Sequence, residues 1–201
     1  MTTANKITIV RILLIPVFVT CAVYYGESFT GEDGRGNDFF RWTAIAVFVL
    51  ASASDGLDGY IARRFNQKTR LGAILDPLAD KGLMMAALLT LSLSGWSPSY
   101  SPLPLWFPVF VIAKDLLSIL GAFVIQHLAG TVSIRPHWTG KVATFTTMVA
   151  IGWVMLQVPF DPAIPSAVAG VFVFASGIHY LRDASRQIHE SGSATPDSQT
   201  Q

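Results

Sequence analysis

Residues 55–80 read DGLDGYIARRFNQKTRLGAILDPLAD, and strongly apolar sequence lies on both sides of this stretch. It contains four aspartates: Asp55 and Asp58 are three residues apart, and Asp76 and Asp80 are four apart. If both halves are helical, each pair lies on one helix face. Because an ionised side chain at membrane depth costs roughly 2.5 kcal/mol or more, the default interpretation of these aspartates is functional.

The composition predicts an integral membrane protein. Of the 201 residues, 51% are hydrophobic and 13% are charged, whereas a soluble domain has about a quarter of its residues charged. We expect a single all-α membrane domain over residues 1–190, followed by a disordered tail over residues 191–201, which reads SGSATPDSQTQ. The lone cysteine, Cys21, excludes an internal disulfide.

Apolar segments long enough to cross a bilayer predict six transmembrane helices. They cover residues 7–25, 42–64, 71–94, 105–128, 142–158 and 167–181. Lys6 precedes the first segment as in a signal peptide, but no small-residue cleavage site follows, so we interpret it as a retained helix.

The distribution of basic residues predicts the orientation of these helices. With both termini in the cytoplasm, the outer loops hold only Arg35 and Arg41 of the fourteen Lys and Arg residues. Since cytoplasmic loops carry the excess of Lys and Arg, this arrangement places all four motif aspartates near the cytoplasmic face.

The spacing of the 55–80 stretch suits a metal-bound pyrophosphate. Four carboxylates on two adjacent helices can hold one or two Mg²⁺ or Mn²⁺ ions, which prefer oxygen ligands. Gly59 and Ala62 keep the helix surface low beside the site, and Gly72 does the same on the next helix. Arg63 can pair with phosphate oxygens, and Thr69 can donate its hydroxyl to them. The alternative, that the aspartates only form interfacial ion pairs, does not account for the combination.

The stretch resembles a known family signature. It matches, without a departing position, the pattern D-x2-DG-x2-AR-x8-G-x3-D-x3-D of the CDP-alcohol phosphatidyltransferases. The resemblance implies a membrane enzyme that moves a phosphatidyl group from a CDP-linked lipid to an alcohol and releases CMP. It also implies a divalent metal cofactor, Mg²⁺ or Mn²⁺, and a homodimer.

The same resemblance implies roles for individual residues. Metal ligands would be Asp55, Asp58, Asp76 and Asp80, and the last of these would also be the general base. The cytidine nucleotide would contact Gly59, Ala62, Arg63 and Gly72.

The acceptor alcohol is less well determined than the donor. Candidate acceptor contacts are the basic residues Arg11, Lys114, Arg135 and Lys141, which suit an acceptor that itself carries phosphate.

Sequence likeness also bears on the acceptor. Asn5-x2-Thr8-x2-Arg11 and the pair Gly140-Lys141 resemble bacterial family members that make phosphatidylglycerophosphate, whose acceptor is glycerol 3-phosphate. Residues 176–180, SGIHY, are similar to family members that make cardiolipin from phosphatidylglycerol. We favour glycerol 3-phosphate, with phosphatidylglycerol second and an inositol phosphate third.

Two other classes of protein are weighed against this interpretation. Intramembrane prenyltransferases also bind metal pyrophosphate, but they carry repeated DxxxD motifs and lack the DG-x2-AR core. A small cation channel would need carboxylates along a pore and would not need Arg63 or the glycines. We expect an enzyme in a bacterial inner membrane, with its active site on the cytoplasmic side and with no nucleic-acid partner.

Overall fold

The computed structural model describes residues 3–30, 36–64, 72–93, 96, 98–129 and 138–193. Within these ranges, the side chains of 3–4, 55–64, 72–74, 77, 121–129, 184 and 186–193 are outside the description. The helices are α1 (Thr3–Glu27), α2 (Asp38–Arg64), α3 (Gly72–Leu93), α4 (Trp106–Ala129), α5 (Trp138–Met155) and α6 (Ala163–Ser193), with a short 3₁₀ turn at Ser28–Thr30. These ranges contain no β-strand, so the predicted all-α class is confirmed.

Each helix corresponds to one of the predicted apolar segments, but the bounds differ: several helices extend beyond their segment, and α5 ends at Met155, three residues before the predicted end. Helix α2 begins at Asp38 because Asn37 caps it: the Asn37 side-chain oxygen accepts from Phe39 N–H at 3.0 Å. Helix α6 continues to Ser193, so the first three residues of the predicted tail are helical. Residues 194–201 lie outside the description.

Two segments within the described ranges are long and apolar enough to cross a membrane. They are Asn5–Thr30, with a mean hydropathy of 2.3, and Ala163–Asp183, with a mean hydropathy of 1.5. These two segments support a membrane protein. The count of six spans and the cytoplasmic position of both termini stay predictions.

The described residues fall into two compact units. The first comprises Met1–Leu105 and Ile151–Pro162, and in it α1 packs against both α2 and α3. Small residues let the helix backbones approach closely. Three alanines are fully buried: Ala44 and Ala51 on α2, and Ala79 on α3. This unit carries residues 55–80.

Helix α1 also fits closely against α3. A Cβ added to Gly82 would lie 3.3 Å from the Ile15 Cδ1 atom, which is tighter than an ordinary side-chain contact. The absence of a side chain at Gly82 therefore lets α1 lie close to α3, two residues beyond Asp80.

Polar contacts join the residues that follow α5 to α1 and α2 within the first unit. Arg41 donates to the carbonyl of Leu156 at 3.1 Å, just beyond the last residue of α5, where a cation is favoured by the helix dipole. Gln157 has a left-handed φ of 55° and donates to the Tyr25 hydroxyl at 2.6 Å.

The second unit comprises Trp106–Ala150 and Ala163–Gln201, and in it α4 packs against α6. Phe110 and Phe174 stack with ring centroids 6.1 Å apart. The Tyr180 hydroxyl donates to the carbonyl of Ser118 at 2.6 Å, which gives the polar end of this half-buried tyrosine a partner.

Candidate active site

The helical backbone carries the four aspartates in the arrangement predicted from their spacing. Asp55 and Asp58 lie on α2, within its last ten residues, and Asp76 and Asp80 lie in the first half of α3. Helices α2 and α3 contact each other. Each pair therefore shares one face of its helix, on two helices that are neighbours.

Asp76 is held by a hydrogen bond from α1. The Thr8 hydroxyl donates to Asp76 Oδ1 at 2.7 Å, a usual length for a hydroxyl donor. Thr8 is fully buried, at 0% exposure, while Asp76 is half-buried. Because a hydrogen bond to a charged group contributes about 1.5–3 kcal/mol, this contact helps to join α1 to α3 at the position of Asp76.

A second hydrogen bond joins α1 to α2. The Arg11 side chain is buried, at 1% exposure, and its Nε donates to the Ser54 hydroxyl oxygen at 3.1 Å. The Ser54 hydroxyl in turn donates to the carbonyl of Ala51 at 2.7 Å. Since Ser54 directly precedes Asp55, Arg11 anchors α2 beside the first motif aspartate.

These contacts come from one polar face of α1. Asn5, Thr8 and Arg11 are spaced by three residues and are all buried, so they share the face that α1 turns toward its neighbours. The supporting role of Thr8 and Ser54 was not predicted from the sequence. For Thr8, the available signal was the series of polar residues spaced by three at positions 5, 8 and 11.

The described part of the site fits a divalent cation by its donor chemistry. Asp76 and Asp80 lie one turn apart on α3, and both are only partly buried, so that an ion can reach their oxygens. Carboxylates are the ligands that Mg²⁺ and Mn²⁺ prefer. No group of three or more His, Cys, Asp or Glu side chains converges among the described residues, a set that leaves out the Asp55 and Asp58 side chains.

For several predicted site residues, the structure gives the position along a helix but not the side-chain contacts. Gly59, Ala62 and Arg63 lie on α2, and Gly72 is the first residue of α3. Thr69 lies outside the described residues, as does Arg135. Their contacts with a nucleotide or an acceptor stay predictions.

The described candidate acceptor contacts have different environments. Arg11 is enclosed between helices, as above, whereas Lys141 is exposed at the start of α5. Lys114 Nζ pairs with Asp115 Oδ1 at 2.7 Å. The aliphatic stem of Lys114 lines an apolar groove of about 160 Å³ between α4 and α6, as expected for a lysine whose stem is buried and whose charge is paired.

Replacing Ser54 tests whether Arg11 anchors α2. In Ser54→Ala, the Arg11 Nε loses its acceptor, so we expect the free energy of unfolding to fall by about 1–3 kcal/mol. The measurement is unfolding of the purified protein in detergent.

Ser118→Ala is the matched control, because the Ser118 hydroxyl donates only within its own helix, to the Lys114 carbonyl at 2.9 Å. An equal loss of stability in both variants would contradict the anchoring role of Arg11.

Comparison with known protein families identifies one that covers most of the chain. The sequence model described as CDP-alcohol phosphatidyltransferase matches residues 1–179. The match runs through all four motif aspartates and the first half of α6, and it agrees with the signature found in residues 55–80.

Curated bacterial proteins are similar over most of their length. A probable phosphatidylglycerophosphate synthase of Mycobacterium tuberculosis is 34% identical over 190 residues, which cover 92% of this chain and 82% of that protein. A CDP-diacylglycerol–glycerol-3-phosphate 3-phosphatidyltransferase of Bacillus subtilis is 32% identical, covering 88% of this chain and 92% of that protein. A protein of the same name from Escherichia coli K12 is 32% identical, covering 84% and 82% respectively.

Proposed function

Because this chain belongs to the CDP-alcohol phosphatidyltransferase family, we propose that it transfers the phosphatidyl group of CDP-diacylglycerol to glycerol 3-phosphate and releases CMP. The observation that carries the choice of acceptor is the similarity to relatives named for this reaction, at 32% identity over 84–88% of this chain. The expected enzyme class is confirmed by the family itself, which sets aside a prenyltransferase or a cation channel.

The reaction replaces a phosphoanhydride bond of the donor with a phosphoester bond to the acceptor. A hydroxyl oxygen of glycerol 3-phosphate forms a bond to the phosphorus that carries diacylglycerol. The bond from that phosphorus to the bridging oxygen of the pyrophosphate breaks, and CMP leaves with the electron pair. The proton of the attacking hydroxyl must be removed as the new bond forms.

We assign the metal-binding role to Asp55, Asp58, Asp76 and Asp80. A bound Mg²⁺ or Mn²⁺ supplies charge neutralisation at the pyrophosphate. The carboxylates of α2 and α3 would hold such an ion, with Asp76 also accepting a hydrogen bond from Thr8.

Asp80 is the proposed general base. It lies one helical turn beyond Asp76 and is partly exposed, so that an acceptor hydroxyl can approach it. A carboxylate within hydrogen-bond reach of that hydroxyl can accept its proton during attack.

The remaining predicted roles complete the proposal. Gly59, Ala62 and Gly72 leave room for the cytidine nucleotide, and Arg63 and Thr69 bind its phosphates. The acceptor phosphate is assigned to cations, namely Arg11, Lys114, Arg135 and Lys141. We place the enzyme in a bacterial inner membrane, as a homodimer with its active site on the cytoplasmic side.

A second acceptor is considered because of residues 176–180, SGIHY. Their similarity to cardiolipin-forming members favours phosphatidylglycerol as the alternative. Both acceptors expose a primary glycerol hydroxyl, so the same donor and the same general base serve either reaction.

The proposed function is tested by release of CMP from CDP-diacylglycerol by the purified protein in detergent. We expect release to require Mg²⁺ or Mn²⁺ and glycerol 3-phosphate, because the metal neutralises the leaving group and the acceptor supplies the nucleophile. If phosphatidylglycerol supports turnover and glycerol 3-phosphate does not, the acceptor is phosphatidylglycerol. Turnover without a divalent metal would contradict the proposed metal site.

Asp80→Asn tests the general base. The amide cannot accept the hydroxyl proton, so we expect kcat to fall at least about 100-fold, within the usual range for general-base catalysis. Binding of CDP-diacylglycerol, measured by calorimetry, should be largely retained. Turnover at the rate of the unchanged protein would remove Asp80 from this role.

Lys114→Ala tests the assignment of the acceptor phosphate. Loss of a cation that pairs with that phosphate should raise the KM for glycerol 3-phosphate by about tenfold or more, with little change in the KM for CDP-diacylglycerol. Asp115→Asn is the control, since it removes the ion pair with Lys114 and keeps the lysine. If both variants leave the acceptor KM unchanged, Lys114 has no part in acceptor binding.

A further inference from the structure

Thr8 lies on α1, outside the signature of residues 55–80, and its hydroxyl donates to the signature residue Asp76. We infer that Thr8 is a positioning residue that orients the Asp76 carboxylate for metal binding, from a helix that contributes none of the four aspartates. This inference rests on the proposed function, because it takes Asp76 to be a metal ligand.

The geometry favours orientation over simple packing. Thr8 Oγ1 lies 2.7 Å from Asp76 Oδ1, so its hydroxyl engages one lone pair of that oxygen. An ionised carboxylate has about four acceptor positions, so the remaining ones can still bind an ion. A hydrogen bond of this kind selects one rotation of the carboxylate, as supporting residues around metal sites do.

The surroundings of Thr8 hold its hydroxyl in place. The side chain is fully buried, and a threonine has few alternative χ1 rotamers in a helix. Three residues along the same face, Arg11 ties α1 to Ser54 of α2. On α3, Gly82 permits close approach of Ile15. Helix α1 is therefore fixed against both helices that carry the aspartates.

The chain offers a matched control for removing this hydroxyl. Thr147 on α5 is also buried, at 1% exposure, but its hydroxyl donates within its own helix, to the Ala143 carbonyl at 2.8 Å. A threonine-to-valine change at either position removes a hydroxyl of the same size from a similarly buried place. Only the change at Thr8 removes a donor from a motif aspartate.

The test measures Mn²⁺ binding to the purified full-length protein by electron paramagnetic resonance, without substrate. We expect Thr8→Val to raise the Mn²⁺ dissociation constant by about 10–100-fold, the usual effect of losing a residue that supports a metal ligand. Thr8→Ser keeps a hydroxyl and should bind Mn²⁺ nearly as the unchanged protein does. Thr147→Val should also leave the dissociation constant unchanged.

Several outcomes would overturn the inference. Folded Thr8→Val with unchanged Mn²⁺ affinity would do so, as would equal weakening by Thr147→Val or a loss in Thr8→Ser as large as in Thr8→Val. If Thr8→Val fails to fold, Thr8→Ala removes the same hydroxyl without filling its place. Its Mn²⁺ dissociation constant is then compared with that of Thr8→Ser, and equal values would overturn the inference.

A further variant separates this inference from the proposed function. Asp76→Asn should weaken Mn²⁺ binding strongly if Asp76 is a ligand. Unchanged binding in Asp76→Asn would overturn the proposed ligand role and the inference with it. Weak binding in Asp76→Asn together with unchanged binding in Thr8→Val would overturn the role of Thr8 alone.

Discussion

Charged side chains inside an apolar helix assembly need hydrogen-bond partners, and in this protein contacts between α1 and its two neighbours supply them. Thr8 donates to Asp76 on α3, and Arg11 donates to Ser54 on α2. An unsatisfied buried polar group costs about 1–3 kcal/mol, and more if it is charged. These two contacts therefore restrict how α2 and α3 can rotate relative to α1. The proposed metal site depends on that restriction, because its ligands are divided between the two helices.

The sequence was sufficient for the helices and for the family. Apolar segments long enough to cross a membrane predicted each of the described helices, and the spacing of residues 55–80 identified the family that the sequence comparison then confirmed. Helix ends were predicted less well. Asn37 caps α2 before the apolar segment starts, and a cap of this kind lies outside any hydropathy pattern.

Contacts between helices could not be predicted from spacing alone. Which residue of α1 meets Asp76 depends on the rotation and the axial position of two helices, and these follow from close contacts such as that of Gly82 with Ile15. Arg11 illustrates the difference. Its charge and position predict a contact with an acceptor phosphate, which stays a prediction. Its hydrogen bond to Ser54 depends on how α1 lies against α2, and the sequence did not predict it. The roles of Asp55, Asp58 and Arg63 remain predictions from the motif.

The central claim is that carboxylates from α2 and α3 hold one metal centre. It is tested most directly by a structure of the protein with Mn²⁺ and CDP-diacylglycerol, in which the anomalous signal of manganese locates the ion. The account predicts a peak on the order of 2 Å from carboxylate oxygens of both helices, including Asp76 with its Thr8 contact intact. A peak bound by one helix only, or one remote from Asp76, would contradict it.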